Sequence, residues 1–305
     1  MLKKNSLQTL WIMFFIAPGL AVVSVVIIYP LMASLVNSVF SWRAFMRGEF
    51  VGLENFRTLF TQFPHNERFF NAIGNNVKWF LSSMLIQNTI GLLFGYLLSR
   101  NIKGHEVFKR VFFMPVLLPL IAVGFLWKLY YNPQFGLFLR LFELLGIEQH
   151  FRPWLGIPST ATYAIILINI WRWIGFPTLV FLAAIDNVPE ECVESAHIDG
   201  ASEWRIFWRI IFPLIIPAIM VITVLTLIGS INVFEQVYAT AGLDGQPNYS
   251  TDTLGTLFYR FAFGSFTSTV PLVDIGSALS VIIYLLCLSL SLLSIFFFQK
   301  KEVRL

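Results

Sequence analysis

Residues Val188 to Pro213 read VPEECVESAHIDGASEWRIFWRIIFP and form a charged, helix-forming stretch between two strongly apolar ones. Pro189 suits the first position of a helix, where its missing N–H costs nothing, and Asn187 before it can cap. Asp199-Gly200 is a turn signal, because glycine tolerates positive φ. The pattern predicts a helix, a tight turn and a second helix, followed by a hydrophobic run that opens at Pro213.

The second helix of this stretch is predicted to be amphipathic. Ser202 can cap it. Its apolar residues recur at i, i+3, i+4 and i+7, which predicts one apolar stripe: Trp204, Phe207, Trp208 and Ile211. Glu190 and Glu191 fall in the first turn of the first helix, where negative charge is favourable. Such a unit is suited to press one face against something outside a membrane.

Composition places the chain in a membrane. Of its 305 residues 57% are hydrophobic and only 12% are charged, whereas a soluble domain carries about 25% charged residues. The net charge of +4 is small, and the basic residues lie mainly in the loops between apolar runs, so no nucleic-acid partner is expected. The cysteines Cys192 and Cys287 suggest no disulfide framework. We therefore predict an all-α integral membrane protein.

Six apolar runs predict six transmembrane helices. They are residues 11–29, extending to about 36, then 79–98, 111–129, 161–184, 213–234 and 275–298. The first run is too long for the core of a signal peptide, so it is read as an uncleaved span. In the third run Pro115 and Pro119 predict a kink. The resulting division is a tail and first span (1–36), an external loop (37–78) and a core of five spans (79–305).

The distribution of basic residues predicts the orientation. The segments 1–10, 99–110, 185–212 and 299–305 hold 11 Lys and Arg in 57 residues, and the segments 37–78, 130–160 and 235–274 hold 8 in 113. Because basic residues are enriched in cytoplasmic loops, both termini and the loop 185–212 are predicted to be cytoplasmic.

The loop resembles one found in permease subunits of binding-protein-dependent ABC importers, which carry E-A-A-x3-G-x9-I-x-L-P there. The matching residues are Glu194, Ser195, Ala196, Gly200, Ile210, Phe212 and Pro213. Two of them depart from the motif, Ser195 replacing Ala and Phe212 replacing Leu. The strings FVGLENF (50–56), YNPQFGLF (131–138) and FEQVYATAG (234–242) also resemble sugar-type members of this family.

The resemblance implies a cytoplasmic coupling helix-turn-helix at 185–212 that docks on an ATPase and transmits its closure. Implied partners are an ABC ATPase dimer, a second permease in a heterodimer, an extracytoplasmic solute-binding protein and membrane lipid. Glu194 would contact the ATPase or fix the loop helix, and Asp199 and Gly200 would make the turn, so Gly200→Ala should weaken coupling if φ there is positive. The implied location is the inner or plasma membrane of a bacterial or archaeal cell.

The sequence contains no signature of catalysis. No Gly is followed by Lys, so a Walker A motif is absent and the chain is not expected to be an enzyme. ATP and Mg²⁺ would belong to the partner ATPase, and no cofactor is expected here. The four histidines lie far apart in sequence, so no metal site is expected.

Candidate residues of a substrate pathway lie in two spans. Trp171, Arg172 and Trp173 fall within the fourth, where an arginine costs roughly 2.5–3.5 kcal/mol and should face a cavity or a partner. It could contact substrate, form a structural ion pair or lie nearer the interface. Asn232, Glu235 and Gln236 end the fifth span and could line a cavity or anchor a loop.

The resemblance predicts import of a sugar or oligosaccharide by alternating access. Two alternatives stay open. One is another polar solute such as glycerol 3-phosphate, because Arg172 could serve an anion as well as a sugar. The other is an ATP-independent secondary transporter, which would need buried acidic residues for ion coupling, and the spans hold almost none.

Overall fold

The computed structural model describes residues 6–43, 46–100, 102–265 and 270–299, and it is mostly helical. The helices are α1 (Ser6–Val23), α2 (Tyr29–Asn37), α3 (Glu54–Thr61), α4 (His65–Ser82), α5 (Thr89–Ser99), α6 (His105–Phe113), α7 (Leu120–Tyr130), α8 (Leu137–Leu144), α9 (Pro158–Trp173), α10 (Gly175–Asp186), α11 (Glu190–Ile198), α12 (Glu203–Ile206), α13 (Phe212–Leu214), α14 (Ile216–Ile231), α15 (Glu235–Ala241), α16 (Leu254–Phe263) and α17 (Val273–Gln299). The strands are β1 (Phe40–Arg43) and β2 (Met46–Phe50).

Three continuous helices are long and apolar enough to cross a membrane. They are Trp11–Asn37, His65–Ser99 and Val273–Phe298. Three further pairs of helices pass the same test only if each bent pair is counted as one span, so the described residues hold between three and six candidate spans. The first and last agree with the spans predicted near 11–36 and 275–298. Residues 1–5 and 300–305, on which the predicted orientation partly rests, lie outside the described residues.

The region predicted as an external loop, 37–78, is largely ordered secondary structure. Strands β1 and β2 form an antiparallel hairpin in which Phe40 pairs with Phe50, so the chain is not purely helical. The Nδ2 of Asn55 donates to the carbonyls of Ser38 (2.8 Å) and Phe40 (2.9 Å), which fixes the hairpin to α3. Helix α4 begins at His65 and runs on through a π-helical turn into α5. The helix that contains the predicted second span, 79–98, therefore begins well before it, at His65.

The predicted third span is not one helix. Residues His105–Leu117 and Leu120–Tyr130 meet at an angle of 98°. Pro115 lies in a 3-10 turn, Met114–Leu117, and Pro119 has an extended ψ of 131° just before α7. The predicted kink is confirmed, and it is a sharp break between two helices rather than a bend within one helix.

Residues 235–274, predicted to be a long loop, contain α15, α16 and a buried ion pair. Arg260 and Asp252 leave 1% and 0% of their side chains exposed, and Arg260 Nη1 lies 3.1 Å from Asp252 Oδ1. Nη1 also donates to the carbonyl of Leu243 at 3.1 Å. Burial raises the pKa of the Asp252 carboxyl, and the adjacent guanidinium opposes that shift.

Helix α4 holds this segment through its asparagines. Asn75 Nδ2 donates to the carbonyl of Asp252 at 2.8 Å, and Asn76 Oδ1 accepts from the backbone N–H of Leu254 at 2.9 Å. Thr253 also caps α16 by accepting a hydrogen bond from Thr256 N–H. Backbone that looks like a loop in the sequence is thus satisfied by side chains from a distant helix.

The helix His65–Ser99 connects the two ends of the molecule. At one end, called the hairpin end, α4 contacts the segment 242–254, which contains Asp252 and leads into α16. At the other, called the loop end, α5 reaches the stretch 187–213. Between them α5 packs closely on α10: a Cβ on Gly95 would lie 3.0 Å from both Leu182 N and Thr178 O. Gly91 makes a similar approach to Pro177, as small residues do where membrane helices touch.

Candidate functional site: a helix-turn-helix and a polar cavity

The stretch 188–213 forms the predicted helix-turn-helix. Helix α11 ends at Ile198, and Gly200 has a φ of +73°, so the turn needs a left-handed residue. Helix α12 begins at Glu203 and continues through a π-helical turn, Phe207–Ile211. Ala196 is buried in a small core of apolar side chains, with partly buried residues of α5 packed against it. The buried members are Ile185, Ala196, Ile206, Ile211 and Ile215.

Two details of this unit differ from prediction. Pro189 is the residue before α11 rather than its first residue, and Asn187 donates its side chain to the carbonyl of Ala183 instead of capping. The apolar stripe is also shifted. Ile206 is fully buried, whereas Trp204 and Trp208 are 72% and 44% exposed. The buried residues Ile206 and Ile211 are five positions apart, a spacing that a π-helical turn brings to one face. Trp204 and Trp208 also share a face, with ring centroids 5.5 Å apart, but it is the exposed one.

Most of the motif residues in α11 and the turn face solvent. Glu194, Ser195, Asp199 and Gly200 are exposed, and Ile198 at the tip of α11 is 86% exposed. Ser195 Oγ donates to the carbonyl of Cys192 at 3.2 Å. Two other motif residues, Ile210 and Pro213, are half-buried. The tip therefore presents a bare aliphatic side chain beside carboxylates, and such a surface can insert into a groove on another protein.

Glu203 joins the helix-turn-helix to the end of α5, and sequence reasoning gave it no role. Arg100 Nη2 lies 2.5 Å from Glu203 Oε1, and Tyr96 Oη donates to Glu203 Oε2 at 3.2 Å. His197 Nε2 is 3.8 Å from the same carboxylate. The hydrogen bond to Glu203 raises the pKa of Arg100. The pair is exposed, with 40% and 48% of the two side chains accessible.

A cavity of about 590 Å³ lies among α4, the π-helical turn Ser83–Asn88, α7, α9, α10, α14 and α15. Its lining residues are Trp79, Ser83, Gln87, Asn88, Leu120, Asn169, Trp173, Phe176, Pro177, Ile222, Leu225, Thr226, Gly229, Ser230, Asn232, Val233, Phe234, Glu235 and Gln236. This volume is within the usual range of ligand pockets, roughly 300–1,000 Å³. The lining combines aromatic faces with amides and hydroxyls.

Four of the six predicted pathway residues line this cavity, and two do not. Trp173, Asn232, Glu235 and Gln236 belong to the lining. Trp171 instead packs edge-on against Trp127, with ring centroids 5.4 Å apart. Arg172 Nη2 donates to the carbonyls of Val116 (3.4 Å) and Leu118 (3.3 Å), so its guanidinium binds the break in the third span.

Several polar atoms of the lining have no hydrogen-bond partner among the residues that the structure describes. Both amide atoms of Gln236, Oε1 of Gln87 and Oγ of Ser83 are buried and unpaired. Asn88 Nδ2 is satisfied by Thr226 Oγ1 at 2.9 Å. A buried amide without a hydrogen bond is uncommon, and one at a cavity is expected to pair with water or with a ligand.

Sequence reasoning missed six polar lining residues: Ser83, Gln87, Asn88, Asn169, Thr226 and Ser230. A signal was present, because Ser83 and Gln87, like Thr226 and Ser230, are four residues apart within apolar spans. Residues at i and i+4 share one face of a helix. A polar face inside a membrane span indicates a cavity or a partner rather than lipid.

The sequence pattern of the family described as "Binding-protein-dependent transport system inner membrane component" matches residues 87–304 of the chain. The chain belongs to this family. The matched range includes the helix-turn-helix and most of the cavity. The resemblance seen in the loop motif is therefore confirmed for the family, the permease is a membrane protein, and the roles of individual residues stay predictions.

Two relatives align with the permease over nearly their whole length. It is 31% identical over 288 residues to the probable ABC transporter permease protein YurN of Bacillus subtilis, covering 93% of this chain and 94% of the relative. It is 31% identical over 279 residues to the trehalose/maltose transport system permease protein MalF of Thermococcus litoralis, covering 91% and 90%.

A solved structure shares the fold. The permease aligns with a chain in the crystal structure of a bacterial ABC transporter involved in the import of the acidic polysaccharide alginate, with a TM-score of 0.80 and 24% identity. The alignment covers 95% of this chain and 96% of that chain. The likeness therefore shows that the two chains share one fold over almost their whole length.

Proposed function

We propose that the permease is a transmembrane subunit of an ATP-driven importer and forms part of the pathway for a neutral sugar or short oligosaccharide. Relatives named for trehalose/maltose, lactose and multiple-sugar transport support a sugar substrate. In this proposal an external binding protein delivers the sugar, and ATP hydrolysis on separate ATPase chains drives alternating access.

The observation that carries the proposal is the composition of the cavity wall. Trp79 and Trp173 offer indole faces on which a sugar ring can stack. Gln87, Asn88 and Gln236 offer amides, each able to donate and accept hydrogen bonds with hydroxyl groups. The unpaired amide of Gln236 would gain its partners from a polyhydroxylated ligand.

The wall favours a neutral solute over an anion. Among the described lining residues the only ionisable side chain is the carboxyl of Glu235. Arg172, the cation that could have bound a phosphate, contacts the carbonyls of Val116 and Leu118 instead. A glycerol 3-phosphate-like substrate is therefore less well supported than a sugar.

The proposal includes six spans, with both termini and the loop 185–212 on the cytoplasmic side of the inner or plasma membrane. The density of Lys and Arg in the segments assigned to that side supports this orientation. The exposed tip of α11, with Ile198 and Glu194, would dock on one chain of an ATPase dimer, which would hold ATP and Mg²⁺. A second permease would complete the pathway.

Reconstituted uptake tests the proposal. Proteoliposomes would contain the permease, its co-purifying partners and the binding protein, and radiolabelled maltose, trehalose and glycerol 3-phosphate would be offered with and without ATP. We expect ATP-dependent uptake of a sugar. Gln236→Leu should lower its rate about tenfold, the value of one buried hydrogen bond.

Gln62→Leu is the matched control, because this exposed glutamine lies outside the cavity. The control should leave uptake unchanged. Uptake that needs no ATP, or equal rates for Gln236→Leu and Gln62→Leu, would contradict the proposal.

A further inference from the structure

We propose that Arg172 is a positioning residue: together with Gly175 it holds the sharp break in the third span, and the break sets the position of two walls of the cavity. The positioning role in transport rests on the proposed function, whereas the structural role of the two residues can be measured without it.

The break leaves backbone carbonyls without helical partners. In a straight helix the carbonyls of Val116 and Leu118 would accept from N–H groups four residues further on. Because Leu118 and Pro119 have extended ψ angles, 137° and 131°, the chain turns away and those N–H groups no longer reach the two carbonyls. Among the described residues no backbone N–H donates to either carbonyl, and Pro119 has no N–H to offer.

Arg172 supplies the missing donors. Its Nη2 lies 3.4 Å from Val116 O and 3.3 Å from Leu118 O, on the two sides of Leu117. These contacts are longer than most N–H···O hydrogen bonds, and the positive charge of the donor strengthens them. The guanidinium carbon also lies 5.3 Å from the centre of the Trp173 ring, which orients the side chain.

Gly175 packs against the end of α6, on the other side of the break. Gly175 follows Arg172 by three residues, and Ile174 between α9 and α10 is also helical. Arg172 and Gly175 therefore lie on the same side of this pair of helices. A Cβ on Gly175 would collide with Phe112 O, and it would lie 2.6 Å from Phe112 C and 2.9 Å from Phe113 Cα. Only glycine allows this backbone contact. Gly175 thus contacts the end of α6, and Arg172, three residues earlier, binds the carbonyls at the break.

The direction of α7 depends on this attachment. Leu120, the first residue of α7, lines the cavity directly after the break. Further along, a Cβ on Gly124 would lie 2.6 Å from the Cβ of Ala239 in α15, so α7 and α15 are in close contact. Helix α15 carries Glu235 and Gln236 of the cavity wall. A change in the bend would therefore displace both walls.

Distance measurement between spin labels tests the attachment directly. Labels would be placed at Val107 in α6 and Phe125 in α7, both 62% exposed, after replacement of Cys192 and Cys287 by serine, in permease purified with its partners in nanodiscs. Arg172→Gln should shift the distances to longer values, because a relaxed bend separates the ends. Gly175→Ala should do the same, and Arg172→Lys should give a smaller shift.

Gly74→Ala is the matched control, since a Cβ there meets nothing within 4 Å, and it should reproduce the wild-type distances. Wild-type distances in Arg172→Gln and Gly175→Ala would overturn the inference. If Arg172→Gln does not fold, Gly175→Ala and Arg172→Lys decide in the same way.

Uptake of maltose separates positioning from substrate contact. Positioning predicts that Arg172→Gln and Gly175→Ala both lower the maximal rate severalfold, although neither residue lines the cavity. Substrate contact predicts a slow Arg172→Gln with unchanged distances and a normal Gly175→Ala, which would overturn the inference. If the distances shift in the variants but the wild-type permease transports no sugar, the structural role of Arg172 and Gly175 is supported. Only the proposed function is then contradicted.

Discussion

Two arginine–carboxylate pairs lie at opposite ends of the permease, and they differ in burial. At the hairpin end Arg260 and Asp252 are buried almost completely. At the loop end Arg100 and Glu203 leave 40% and 48% of their side chains exposed. A buried pair is costly to break, because one charge is then left without water or partner, whereas an exposed pair contributes little and can re-form.

The difference indicates which end is fixed. The hairpin end combines the buried pair with hydrogen bonds from the asparagines of α4 to the backbone of the segment 242–254. The loop end has one small apolar core and an exposed ion pair. We expect the helix-turn-helix to shift relative to α5 during a transport cycle while the hairpin end stays assembled.

Breaking the two ion pairs should give the largest contrast. Arg260→Met leaves Asp252 buried and unpaired, and we expect it to lower the free energy of unfolding by about 3–5 kcal/mol. The matched variant Arg100→Met should cost about 0–1 kcal/mol. Thermal unfolding of the purified permease, followed by tryptophan fluorescence in detergent, measures both. Equal losses would show that burial does not distinguish the two ends.

A pair of glycines gives a smaller contrast. Gly245 and Gly200 both have positive φ, +55° and +73°, so alanine at either position costs about 1–2 kcal/mol. A Cβ on Gly245 would also collide with Asp252 Oδ1, whereas one on Gly200 meets nothing within 4 Å. Gly245→Ala should therefore lower the melting temperature more than Gly200→Ala, which should mainly slow ATP-coupled uptake. The reverse order in melting temperature would contradict this comparison.

The features that the sequence predicts correctly depend on residues that are close together in the chain. The turn at Gly200 and the two helices around it follow from residues close together in the chain, and so does the last span. The cavity was predicted in part, since Trp173 and Gln236 lie at span positions where polar and aromatic side chains are conspicuous.

What could not be predicted depends on distant partners. At the break near Leu118 the free carbonyls of Val116 and Leu118 are bound by Arg172, which comes from another helix. The segment around Asp252 has the composition of a loop, and it is buried because Asn75 and Arg260 satisfy its polar groups. The displaced stripe of α12 follows from a π-helical turn that simple periodicity does not register.

The central claim is that the loop end couples the permease to an ATPase, and co-purification tests it most directly. Tagged permease would be solubilised in detergent as wild type, as Glu194→Lys and as Glu67→Lys, a charge-reversal control in α4 at the hairpin end. We predict that an ATPase and a second permease accompany the wild type and Glu67→Lys, and that Glu194→Lys loses the ATPase alone. A wild-type permease that purified without an ATPase and moved solute into liposomes without ATP would contradict the account and favour a secondary transporter.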